Sequence, residues 1–153
     1  MSFEQLSEQL ARLSPDLYPL FSKEFGDAVI ATTPDQLLEV AEELRSIGFN
    51  RLTMVTAVDY EERLVMVYRL KARSLSAGLY VKCPLTHDAL VIPSVCAIWP
   101  AADWQEREVY DLFGVVFEGH PDLRRILLPP EFEGHPLRKD YDDPKMIRRP
   151  DYI

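Results

Sequence analysis

Residues 33–70 read TPDQLLEVAEELRSIGFNRLTMVTAVDYEERLVMVYRL, and the hydrophobic period changes once within them. In the first half Leu37, Leu38, Val40, Ala41, Leu44 and Ile47 recur at helical spacing and form a wide apolar face. Thr33 is placed to cap that helix, Pro34 suits its first turn, and Gly48 closes it in the left-handed conformation. Beyond Asn50 the period falls to two. Leu52, Met54, Thr56 and Val58 alternate along one strand, and Leu64–Leu70, rich in Val, makes a second. The polar link Asp59–Arg63 is short enough for a hairpin, so the two strands should run antiparallel. Helices laid on such a sheet give a two-layer α+β fold with a mainly antiparallel or mixed sheet.

Working outward, Phe3, Leu6, Leu10 and Leu13 predict an N-terminal helix, with Ser2 and Gln5 placed as a capping box and Pro15 as its stop. A short second helix is expected around Asp16–Glu24, closed by Gly26, and a short strand at Val29–Ala31. A third strand of the sheet, Leu79–Cys83, should follow a turn at Ser74–Gly78. From Val91 the character changes, because eight of the twelve prolines lie between Pro93 and Pro150. One helix is expected there, about Asp103 to Phe113, and the remaining chain should be extended and irregular. It nonetheless keeps Phe117, Leu123, Ile126, Leu127, Leu128 and Phe132. Irregular but apolar chain packs on something, which suggests a partner surface. The chain therefore divides into an α+β core at 1–117 and an extended C-terminal interface segment of the same domain at 118–153.

A length of 153 residues is one domain's worth. The net charge of −8 argues against a nucleic-acid partner, since neutralising phosphates needs clustered Lys and Arg. Two cysteines, Cys83 and Cys96, are too few for a disulfide scaffold or an iron–sulfur ligand set. No apolar run approaches the roughly 18–20 residues of a membrane span, and no secretory leader is legible, so membrane contact is expected only through partners.

The densest chemistry lies in Trp104–Gly114. Glu108 and Asp111 stand one helical turn apart and could share a proton or bind a cation, with His120 as a third member. The plainer reading has Asp103 capping the helix, Glu106 closing a capping box, Arg107 pairing with Asp111, and Gly114 ending the turn. His120 and His135 each sit in Glu-Gly-His-Pro, a near-repeat followed by a basic pair. Two histidines fifteen apart lack metal-ligand spacing, so each is read as a turn whose ring bonds backbone. No nucleotide-binding loop or nucleophile elbow is present. Arg124, Arg125, Arg138, Lys139, Arg148 and Arg149 interleave with Asp122, Glu131, Glu133, Asp140, Asp142 and Asp143, which suits ion pairing, internally or across an interface. Catalytic, cofactor-binding and metal residues are expected to be absent.

The run Glu106-Arg107-Glu108, Asp111-Leu112-Phe113, His120, Arg124 and Ile126-Leu127 resembles the signature of the 30 kDa subunit of respiratory complex I, the C subunit of NADH:quinone oxidoreductase (the J subunit in plastids and cyanobacteria). Val91–Val95, Trp99–Trp104 and Gly134–Tyr141 flank it in keeping, and Thr56–Tyr60 resembles the family's first long strand. The resemblance implies a non-catalytic scaffold subunit on the cytoplasmic (or matrix) face of the membrane, in the peripheral quinone-reducing arm of a proton-pumping enzyme. Its partners would be the hydrogenase-large-subunit-like subunit of the quinone module and neighbouring iron–sulfur subunits. Flavin and iron–sulfur clusters would sit in those partners. It also implies that Glu106, Arg107, Glu108, Asp111, His120, Arg124, Arg125, His135 and Arg138 are structural and interfacial. With its end at Ile153, the chain reads as a stand-alone subunit rather than one fused to its large partner. An equivalent scaffold in a membrane-bound nickel–iron hydrogenase is the neighbouring alternative. A free-standing enzyme built on Glu108 and Asp111 is the alternative of another class.

Overall fold

The computed structural model describes residues 3–13, 21–24, 27–73, 78–143 and 145–147. Its elements are α1 (Phe3–Leu13), β1 (Phe21–Glu24), β2 (Asp27–Ala31), a 3-10 turn (Pro34–Gln36), α2 (Leu37–Ser46), β3 (Arg51–Asp59), β4 (Leu64–Lys71), β5 (Leu79–Leu85), β6 (Val91–Pro93), α3 (Ala102–Phe113) and β7 (Val116–Glu118). Five strands form one mixed sheet in the order β1-β2-β5-β4-β3. The hairpin β3–β4 and its neighbour β5 are antiparallel as the spacing predicts, while β2 runs parallel to β5. A second sheet of two parallel strands, β6 and β7, brings residues 91–93 against 116–118, where the proline content predicts irregular chain.

One face of the large sheet carries the core. Leu64, Met66, Tyr68 and Leu70 of β4 register with Leu85, Cys83, Val81 and Leu79 of β5, and all are buried. Leu37, Val40, Ala41 and Leu44 of α2 close over Tyr68, Leu70 and Val81, joined by Val95 and Trp99. The Trp99 indole donates to the Phe49 carbonyl at 2.9 Å, so this large ring has its polar end satisfied. The arrangement is the expected two-layer α+β fold.

Several local expectations are corrected. β1 is a strand where a short helix is expected at Asp16–Glu24. The α2 start is a 3-10 turn, and Thr33 makes no capping bond to its backbone. Its hydroxyl instead lies 3.4 Å from Gln36 Oε1. Leu38 is 40% exposed and leaves the apolar face. The β3 alternation breaks at a register shift between Leu52 and Met54, so Leu52, Val55, Ala57 and Asp59 point inward. Met54, Thr56 and Val58 point away. A bulge adds one residue and flips every later side chain, which the period alone does not reveal. Ser2, Pro15, Gly26, Ser74, Arg148 and Arg149 lie outside the described residues.

Candidate functional site

Helix α3 and the segment that follows β7 bring the signature residues together. The helix begins after Ala101, with no side-chain cap, so the expected Asp103–Glu106 capping box does not form. Glu106 instead points into the core and is fully buried. It accepts bonds from the Ser94 hydroxyl (2.6 Å), the Val95 N–H (2.8 Å) and the Cys96 thiol (3.3 Å). Burial pushes its carboxyl above the ordinary range, and these donors together with His120 pull it only part of the way back.

Asp111 has the opposite balance. Its side chain is fully buried, yet one oxygen receives the backbone N–H groups of Ile126, Leu127 and Leu128 at 3.1, 2.8 and 2.9 Å. The other receives the Arg125 guanidinium at 2.7 Å. Burial works to raise this carboxyl, and the N–H groups and Arg125 outweigh it, so it sits below the ordinary range. The expected Arg107–Asp111 pair along the helix is therefore absent. Three converging N–H groups and one guanidinium nitrogen outcompete an i,i+4 contact in the less favourable orientation. Arg107 turns to the Arg124 carbonyl (3.3 Å) and stacks 5.3 Å from the Trp104 ring.

The two Glu-Gly-His-Pro turns dock on opposite ends of α3. His120 accepts the Asp122 N–H at Nδ1 (3.0 Å), which places its proton on Nε2, and Nε2 then donates to the Asp103 carbonyl (3.1 Å). His135 donates from Nδ1 to the Asp111 carbonyl (3.0 Å), which also accepts from Arg125 (3.1 Å). The Leu112 carbonyl is taken by the Leu137 N–H (3.1 Å) and that of Tyr110 by the left-handed Gly114. Carbonyls that the last helical turn leaves without partners are thus satisfied by the C-terminal segment. Both histidines bond backbone, as read from the turns.

Cys96, Glu106 and His120 place donor atoms within 4.8 Å of one another, a convergence the linear spacing hides. Each donor already has a hydrogen-bonding role: Glu106 accepts three bonds, and both His120 nitrogens engage backbone. Burial raises the Cys96 thiol to about 12, so it stays protonated and donates. The Glu106 and His120 side chains are fully buried within this network, and Cys96 is half-buried.

Of the remaining residues, Glu108 is exposed and has no hydrogen-bond or ion-pair partner among the described residues. It faces solvent while Asp111 is enclosed, so the two carboxylates do not share a site. Arg124 is 69% exposed and pairs with Asp122 at 2.9 Å. Arg138 bridges Asp140 (3.1 Å) and Asp59 (3.7 Å). Asp59 escapes sequence reasoning, which places it in the hairpin link. It binds His87 (2.7 Å) and the Lys139 N–H (2.8 Å), tying the C-terminal segment to the sheet. Its only linear signal is an acid at the inward phase of β3, a phase visible once the bulge is known.

Comparison with known proteins places this geometry. Residues 30–146 match the family described as the 30 kDa subunit of respiratory-chain NADH dehydrogenase. The C subunit of NADH-quinone oxidoreductase from Moorella thermoacetica is 49% identical over 138 residues, covering 88% of this chain and 91% of its own. The corresponding subunit from Azorhizobium caulinodans is 45% identical over 123 residues, 76% of this chain but only 58% of that longer relative. Among solved structures, a chain of the membrane-bound sulfane sulfur reductase, an archaeal respiratory membrane complex, superposes with a TM-score of 0.82 at 27% identity, over 98% of this chain and 95% of that one. The trypsin-resistant fragment (1-134) of Nqo5 gives 0.65 at 29% identity, over 80% of this chain and all of the fragment. On the match over residues 30–146, the chain belongs to the family of the 30 kDa subunit of respiratory-chain NADH dehydrogenase.

Proposed function

We propose that this chain is a non-catalytic structural subunit of the peripheral, quinone-reducing arm of a proton-pumping NADH:quinone oxidoreductase, on the cytoplasmic face of the membrane. One observation carries the reading. The signature's buried charged side chains hold an irregular segment onto α3, and that segment leaves Leu127, Leu137, Met146 and Ile147 between 52% and 96% exposed. An ordered strap with apolar side chains turned outward suits a surface that a neighbour covers. Residues 118–153 form the docking segment of the domain, and the signature residues Glu106 to Arg138 are structural and interfacial. The partners are the hydrogenase-large-subunit-like subunit and adjacent iron–sulfur subunits, which hold the flavin and clusters. No helix among the described residues is long and apolar enough to cross a membrane, which agrees with attachment through partners.

The test is purification of the tagged chain from gently solubilised membranes, with mass spectrometry of what accompanies it. The expected result is the large quinone-module subunit together with iron–sulfur subunits. Arg124→Ala removes only an exposed pair, so it is expected to weaken that recovery while the isolated chain stays folded. Recovery of the chain alone overturns the reading. The likeness to a chain of a membrane-bound sulfane sulfur reductase over 98% of this chain supports a second reading, a scaffold in a related respiratory membrane complex; the membrane-bound nickel–iron hydrogenase raised by the sequence resemblance is one such host. Nickel in the purified assembly would select it.

A further inference from the structure

The C-terminal strap does more than expose apolar side chains: it folds into an open groove of about 830 Å³ lined by residues between Pro129 and Lys145. Its wall is a stacked aromatic pair, Phe132 and Tyr141, with ring centroids 6.3 Å apart and planes at 22°. Tyr141 lies directly on Gly134, where an added Cβ would stand 2.8 Å from its ring. Backbone bonds close the frame: Phe132 to Pro129 (3.0 Å), Arg138 to His135 (3.1 Å) and Tyr141 to Arg138 (3.2 Å). Arg125 adds a bond to the Gly134 carbonyl at 2.9 Å. The groove is therefore built before anything enters it.

Its charge is one-sided. Glu131, Glu133, Asp140, Asp142 and Asp143 line it against Arg138 and Lys145. Arg138 is already committed to Asp140 and Asp59. Glu131 and Glu133 are exposed and have no partner among the described residues. Phe132 already accepts one guanidinium, that of Arg125, 5.8 Å from its ring. With Phe132 already engaged by Tyr141 and Arg125, the unmatched carboxylates set the selection, and they favour arginine over lysine because a planar guanidinium can chelate a carboxylate with two N–H groups.

Resting on the scaffold reading above, we infer that this groove is the docking site for an arginine-bearing extended segment of a partner subunit in the same complex. The paired substitution Glu131→Lys/Glu133→Lys in the tagged full chain tests it, with Glu39→Lys/Glu42→Lys on the exposed face of α2 as a control of equal charge change. Co-purification of the complex's subunits is quantified by mass spectrometry at rising salt. The groove variant is expected to recover roughly five- to tenfold less than wild type, as rim charges act on association rate and salt dependence. The control should match wild type, and urea unfolding of both variants should be unchanged. Wild-type recovery of the partners with undiminished recovery by the groove variant overturns the groove proposal alone. Equal losses in groove and control variants also overturn it, since net charge is then the cause. Wild-type failure to recover any partner overturns the scaffold reading beneath it.

Discussion

Asp111 and Glu106 lie five residues apart on one helix, both fully enclosed, and the same physics drives their carboxyls in opposite directions. Three backbone N–H groups and a guanidinium outweigh burial at Asp111; a hydroxyl, one N–H and a thiol do not at Glu106. Asp111→Asn keeps the shape but removes the charge and half the acceptor capacity, leaving the half-buried Arg125 against an amide. The expected cost is about 2–4 kcal/mol in urea unfolding at neutral pH. Because the folded carboxyl sits below its unfolded value, its contribution is present above about pH 4 and disappears as pH falls through the folded value. The Asn variant's deficit should therefore shrink in acid. Glu106 has the reverse sign, since its folded value lies above the unfolded one. Wild type loses stability as pH rises between those two values, and Glu106→Gln does not. The Gln variant's deficit should be largest in acid and smaller at neutral pH. Unfolding curves at several pH values check both signs, and parallel pH dependence for the two variants would refute this account.

At the level of elements, α3 is held from both ends by turns of one repeated sequence. The C-terminal turn is the tighter. Gly114 has φ +78°, and a Cβ there would stand 2.6 Å from the His135 ring. Gly114→Ala therefore combines left-handed strain with overlap and should cost about 2–4 kcal/mol. His135→Ala removes one bond to the Asp111 carbonyl, which Arg125 still serves, and should cost about 1–2 kcal/mol. The double variant should be more stable than the sum by about 1 kcal/mol or more, because the ring that the new methyl group would meet is gone. A double-mutant cycle by urea unfolding measures that coupling, and strict additivity would mean that backbone strain alone sets the cost of the first substitution. The hairpin edge shows the same economy. The Val55 N–H, on edge strand β3, donates to Gln105 of α3 at 2.7 Å, so the helix that carries the signature also satisfies a strand edge.

Across the whole molecule, Asp59 joins the large sheet to the strap 80 residues later through the Lys139 N–H and Arg138. Asp59→Asn should leave exchange protection in β4 and β5 intact while raising amide exchange across residues 135–141. Hydrogen exchange resolved by mass spectrometry reads this, and unchanged protection at 135–141 would show that α3 alone anchors the strap. The sequence was enough to establish what depends on neighbours along the chain. Helical spacing placed α2, the Asp103–Gly114 run placed α3, the short polar link placed the β3–β4 hairpin, and Gly48 and Gly114 marked helix ends. The signature in Glu106–Leu127 marked the family, and the Gly-His-Pro turns marked backbone-bonding histidines. What depends on distant partners had to wait for the tertiary structure. The inward phase of β3 turns on a bulge with no linear mark, and the parallel pairing of β6 with β7 joins segments more than twenty residues apart. Glu106 and Asp111 could be written as helix-surface charges because a local rule sees only i±3 and i±4. Their true partners, Ser94, Val95, Arg125 and the N–H groups of 126–128, lie far outside that window. A buried carboxylate takes whichever donors the fold brings closest, and only the folded chain determines which those are.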